Sequence, residues 1–191
     1  MSGDGRRLFY ALWPDDPVRH ALLHWQTANL PATVRWQHRA DLHLTLHVLG
    51  QVARDRFEAL RALGAGIRAQ GFELVLDRLG HWPRPQVLWA GPAETPPGLL
   101  ALHAHLGAGL QALGFELDPR PFAAHVTLAR RIRRWPQGAA ALDPVHWPAR
   151  EFALVESVPG SAPAYRPLAR WPLAEPASGG GKQKENELHS S

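Results

Sequence analysis

Two short stretches 82 residues apart constrain this chain more than any other feature: His43-Leu44-Thr45-Leu46 and His125-Val126-Thr127-Leu128 differ by a single aliphatic exchange. Each has the alternation of a strand, where successive side chains point to opposite faces, so imidazole and hydroxyl share one face and two aliphatics the other. With 11 His and five Thr in 191 residues, a shuffled chain would show His-x-Thr about 0.3 times, and a following Leu cuts that about sevenfold. Two occurrences therefore form a pattern. Their separation, near half the chain, suits an internal duplication, and we read the two strands as equivalent elements of two lobes.

The rest of the chain can be laid around these strands. Arg6 to Trp13 reads as a first strand, and Pro14-Asp15-Asp16-Pro17 opens a helix to about Asn29. Thr33 to Trp36 is a short strand leading to the His43 strand, which Gly50 ends, and a helix is expected from about Ala53 to Ala69. Phe72 to Leu79 and Gln86 to Ala90 read as strands joined by the proline-containing loop 81–85. A third helix runs from Thr95 to about Leu113, with Gly114 closing it, and Phe115-Glu116-Leu117 is a strand tip before the His125 strand. Phe152 to Val158 and Leu168 to Leu173 complete the strands, Pro172 requiring that the last lie at an edge or end. Hairpin-length connections without regular βαβ alternation argue for an α+β class with antiparallel pairing. The Gly-rich stretch after Ala177, which holds the only two lysines, marks residues 176–191 as a disordered tail, with 1–175 as a single bilobal domain.

Composition excludes several classes. With no cysteine there is no disulfide, no thiol nucleophile and no Cys-based zinc site, which fits a cytoplasmic protein. The apolar run from Leu8 to Trp13 stops at Pro14, too short for a secretory or membrane segment, so a soluble, unexported protein is expected. The net charge is +4 and the basic residues outside the tail are all arginine. Arginine's planar fork suits phosphate, so a nucleic-acid or nucleotide partner is favoured over a membrane.

The paired signatures resemble those of the 2H phosphoesterases, and their surroundings resemble the branch of RNA 2′,3′-cyclic phosphodiesterases, or 2′-5′ RNA ligase-like proteins. The matching pieces are Leu8-Phe9-Tyr10-Ala11-Leu12, Trp36 ahead of the first signature, Leu49-Gly50, Val87-Leu88-Trp89-Ala90-Gly91, the run from Phe122 to Arg130, Tyr165, and Trp171-Pro172-Leu173. The chain departs from the family at Ala124, where proline is usual, and at Val48, where an aromatic is usual. The resemblance implies a bilobal fold in which two pseudo-symmetric antiparallel sheets with outer helices form a central cleft. It implies as substrate an RNA or nucleotide ending in a 2′,3′-cyclic phosphate.

Hydrolysis of such a ring needs a water deprotonated on one side of phosphorus and a ribose oxygen protonated on the other. Two imidazoles meet that need without a metal or other cofactor, since their ordinary pKa lets one be neutral and the other charged near pH 7. The near symmetry leaves open which is which. By resemblance, His125 is the general base and His43 the general acid toward the 3′ oxygen, leaving a 2′-phosphomonoester. Thr45 and Thr127 are expected to donate to phosphate oxygens, joined by Arg130, whose counterpart in the family contacts phosphate. Phe122, Arg131 and Arg133 are expected at the substrate cleft. Reversal of the same chemistry implies weak ATP-independent 2′-5′ ligase activity.

Other residues read as structure. His47 shares a face with His43 but stands about 13 Å along the strand, too far for joint metal ligation. His103 and His105 fall about 200° apart on a helix. Trp36 and Trp89 are expected to be buried. A monomer is expected. The alternatives are a phosphodiesterase of small nucleotides, such as ADP-ribose cyclic phosphate or 2′-5′ oligoadenylate, and an RNA- or nucleotide-binding module without turnover.

Overall fold

A computed structural model describes residues 5–31 and 33–175. The tail expected at 176–191 lies outside the described residues.

Strand–helix–strand units carry the two signatures. In the first, β1 (Arg6–Leu12) leads through α1 (Asp16–Asn29) to β3 (Leu44–Val52), which pairs antiparallel with β1, and the short β2 (Arg35–Trp36) lies between. In the second, β6 (Val87–Gly91) leads through α3 (Pro97–Ala112) to β7 (Val126–Arg130), which pairs antiparallel with β6. The helix starts are set locally: the Asp15 carboxylate accepts the Val18 N–H at 3.2 Å, and each helix has proline in its first turn. Gly114, at φ 78°, closes α3 in a backbone region that costs glycine little.

The main sheet has the order β10-β9-β1-β3-β7-β6-β5, with β2 also on β7; here β5 is Arg78–Trp82, β9 Glu151–Ser157 and β10 Tyr165–Pro172. The two expected sheets are the two wings of this ladder, and they meet at one antiparallel pair, Leu44 opposite Val126. A ribbon of β4 (Phe72–Leu76) and β8 (Val145–Ala149) stands apart. The core is mainly aliphatic, formed by Leu22 of α1, Leu60 of α2 (Phe57–Gly66) and Leu99, Leu102, Leu106 and Leu110 of α3 against buried sheet residues such as Leu44, Leu88 and Val126, with Tyr10, Trp147 and Phe152 among them. On the opposite face of the β9-β1-β3 wing, Phe9, Ala11, Trp13, Ala153 and Val155 form a second apolar layer, against which Tyr165 packs.

Several local readings change. Phe72 to Leu79 is not one strand: the chain turns at Asp77, so that β4 joins the ribbon and β5 the main sheet. Continuous alternation carries no mark of such a change of partner. β8 was hidden by Pro148, although Val145, Trp147 and Ala149 alternate inward. Residues 115–117 are irregular, α2 begins only at Phe57 after a 3-10 turn, and Trp36 and Trp89 are half-buried.

Two of the register shifts in the main sheet are equivalent. Against β1, Tyr10 pairs with His47 and Ala11 with Thr45, leaving Leu46 as an extra residue. Against β6, Leu88 pairs with Ala129 and Trp89 with Thr127, leaving Leu128 extra. A bulge of one residue reverses every side chain beyond it. Each signature leucine is therefore a bulge, and the residues after it change faces.

Candidate active site

The single pair joining the wings determines the site. In an antiparallel pair centred on Leu44 and Val126, His43 stands across from Thr127 and Thr45 across from His125, all on one face. A pseudo-two-fold axis through that pair exchanges the two signatures, and the histidines become diagonal neighbours with Cα atoms about 7–8 Å apart. They line a common cleft of about 210 Å³ with Thr45, Thr127 and Arg130. The two expected His-Thr pairs thus face one another.

The imidazoles are held alike. His43 Nδ1–H donates to the Asp41 carbonyl at 2.6 Å and His125 Nδ1–H donates to the Ala123 carbonyl at 2.7 Å, each two residues upstream. A carbonyl can only accept, so in each neutral ring the lone pair is on Nε2. His43 Nε2 accepts from the Thr45 hydroxyl at 3.2 Å. His43 is packed among Trp13, stacked at 5.6 Å, and the rings of Phe9 and Tyr165 at 5.0 and 4.8 Å. His125 meets the edge of Trp82 at 4.5 Å, which in turn packs on Trp89 at 5.2 Å.

These surroundings favour the uncharged form of both rings. Burial is the largest influence on His43 and takes its pKa down to about 4; the Asp41 carbonyl and carboxylate pull it upward, while Arg130 and His125 push it further down. Burial also lowers His125, opposed by the Ala123 carbonyl and assisted by Arg130. A phosphate anion between the rings would reverse the balance by favouring the imidazolium.

Arg130 owes its place to the Leu128 bulge. Without it, a residue three beyond Thr127 would face away from the cleft; with it, Arg130 lines the cleft and acts on both histidines. The Leu46 bulge has the equivalent effect on β3. His47 does not share the His43 face as alternation suggests: it is buried, donates from Nε2 to the His103 carbonyl at 2.8 Å and stacks on the His103 ring at 4.1 Å. Val48, 65% exposed, takes the cleft position instead.

Phe122 lies outside this cleft, in an adjoining groove of about 900 Å³ on the His125 side, where its ring stacks on His103 at 4.1 Å. Arg131, at φ 61°, and Arg133 are exposed and line neither space. Sequence reading missed Asp41, a buried carboxylate that accepts the N–H groups of Ala164 at 2.9 Å and Tyr165 at 3.0 Å. It thereby fixes the ring that stands edge-on to His43. Only its position two residues before His43 hinted at a role. Among the described residues no three His, Asp or Glu side chains gather as metal ligands.

The chain is similar to proteins of one family over most of its length. Residues 14–158 match the family model of the 2′-5′ RNA ligase superfamily. The chain is 34% identical to the RNA 2′,3′-cyclic phosphodiesterase of Escherichia coli, over 89% of this chain and 98% of that one. It is also 34% identical to the protein of the same name from Thermus thermophilus, over 95% and 100%. The crystal structure of E. coli LigT complexed with 3′-AMP superposes with a TM-score of 0.76 at 32% identity, covering 89% of this chain and 99% of that one. The duplicated signatures, their meeting at one strand pair and these matches over nearly the whole length place the chain in the 2′-5′ RNA ligase superfamily.

Proposed function

We propose that this protein hydrolyses the 2′,3′-cyclic phosphate end of RNA, as the names of its relatives suggest, and that the product is a 2′-phosphomonoester. One observation carries the reading: two imidazoles with Nδ1–H tied to backbone carbonyls line a phosphate-sized cleft with two hydroxyls and a guanidinium. His125 Nε2, which has no hydrogen-bond partner among the described residues, takes a proton from water as it attacks phosphorus. His43, charged once the anion is bound, protonates the departing 3′ oxygen. Thr45 and Thr127 donate to the non-bridging oxygens and Arg130 offsets the charge that builds there. These side chains supply acid, base and charge stabilisation without a metal, in a cytoplasmic, monomeric enzyme. Run backwards with a 5′-hydroxyl in place of water, the same pair yields weak 2′-5′ ligation.

The test is cleavage of a nucleoside 2′,3′-cyclic phosphate in EDTA with product identification, with His43→Ala and His125→Ala alongside. A 2′-monophosphate from the wild type and loss of turnover in both variants support the proposal. Binding without turnover identifies a nucleotide-binding module, and loss of turnover on adding EDTA overturns the metal-free mechanism.

A further inference from the structure

On the far side of Tyr165 from the histidines lies a chamber of about 600 Å³ that shares this ring with the cleft. Three guanidinium groups, those of Arg19, Arg39 and Arg166, line it, and Asp16 is the one carboxylate in the lining. Arg19 is only 8% exposed. Its Nε–H donates to the Pro14 carbonyl at 2.9 Å, its Nη1 to the Arg39 carbonyl at 3.0 Å, and its guanidinium lies 5.4 Å over the Trp13 ring. Among the described residues no carboxylate forms an ion pair with Arg19, Arg39 or Arg166. A buried guanidinium is ordinarily paired, because leaving its remaining N–H donors without an anion forfeits much of its hydration. Held by two backbone carbonyls and forming no ion pair, with Asp16 the strongest opposing charge acting on it, Arg19 keeps N–H donors for an anion that comes from outside.

The direction of the chemistry identifies that anion. If His43 protonates the 3′ oxygen, the ribose lies on the His43 side of phosphorus and water on the His125 side. The rest of the RNA strand then extends on the His43 side, where Tyr165 separates the cleft from the chamber. The groove on the His125 side is more apolar, walled by Trp82, Phe122 and prolines; of its two arginines, Arg120 is already paired with Asp118 at 2.5 Å, which leaves Arg84. We propose that the chamber of Arg19, Arg39 and Arg166 receives the phosphodiester one nucleotide upstream of the cyclic phosphate, making the protein an enzyme of RNA ends in preference to mononucleotides. This inference rests on the hydrolase reading above and deepens it.

The experiment compares kcat/KM for adenosine 2′,3′-cyclic phosphate with that for the dinucleotide ApA carrying the same terminus. The expected preference for the dinucleotide is about tenfold or more, the usual effect of a charge-assisted contact. Replacing the internal phosphodiester by an uncharged methylphosphonate should remove that preference in the wild type. Arg39→Ala and Arg166→Ala, both at exposed positions, should bring the ratio of the two substrates toward one. Equal rates on both substrates in the wild type overturn the proposal, as does a preference that survives both substitutions. A preference lost instead in Phe122→Ala places the strand on the His125 side. Turnover of neither substrate means that the hydrolase reading itself has failed, and the strand path fails with it.

Discussion

Each imidazole of the cleft is held by a carbonyl two residues before it, which directs Nε2 into the cleft and settles the tautomer. In the proposed reaction either ring is an acid or a base, so His43→Ala and His125→Ala should each lower kcat by about 10²- to 10⁴-fold. Thr45→Val and Thr127→Val lose a donor to a charged group and should cost about ten- to a hundredfold, with serine restoring most of it; steady-state rates on one cyclic substrate decide this. The charge state predicts an asymmetry in pH. Both rings titrate below their ordinary value in the empty cleft, His43 at about 4, and bound phosphate raises them again. The optimum of kcat/KM, which reports the free enzyme, should therefore lie at lower pH than that of kcat. Coincident optima would contradict two neutral histidines in the empty site.

Strand edges and turns carry the supports of these rings. Trp89 lies over β5 at Gly80, where a Cβ would come within 2.0 Å of its ring. Gly80→Ala should thus displace Trp89, and through Trp82 also His125. A loss of about 1–3 kcal/mol in urea unfolding, with a fall in kcat, is expected. Asp41 connects the turn before β3 to the start of β10, and Asp41→Ala leaves two backbone N–H groups without their acceptor. That should destabilise by roughly 2–5 kcal/mol and slow turnover, with Asp41→Asn intermediate because it keeps one acceptor oxygen. An unfolding midpoint unchanged in Asp41→Ala would show that the clamp contributes nothing.

Across the whole molecule, burial lowers four histidines, His43, His47, His103 and His125, below the 6.5 expected of an unfolded chain. The folded state then binds fewer protons than the unfolded one below that value, so stability is fullest above pH 6.5 and is lost as pH falls toward 4, where His43 and His103 titrate. The slope reaches about 1.4 kcal/mol per pH unit for each histidine neutral in the fold and charged outside it. Urea midpoints measured at a series of pH values should fall over this interval, and a flat series would show that these rings are charged in the native state. The same whole-molecule view separates what alternation revealed from what it missed. A strand's two faces follow from neighbours along the chain, so the pairing of His43 with Thr45 and His125 with Thr127, the antiparallel class and most elements were readable from the residues alone. Register depends on the partner strand. The bulges at Leu46 and Leu128, which turn His47 inward and bring Arg130 and Val48 to the cleft, arise only when β3 meets β1 and β7 meets β6. The meeting of the two signatures at Leu44 and Val126, and the clamp of Asp41 on Tyr165 124 residues away, likewise join segments remote in sequence. Local chemistry chose the groups of the cleft; long-range packing aimed them at one another.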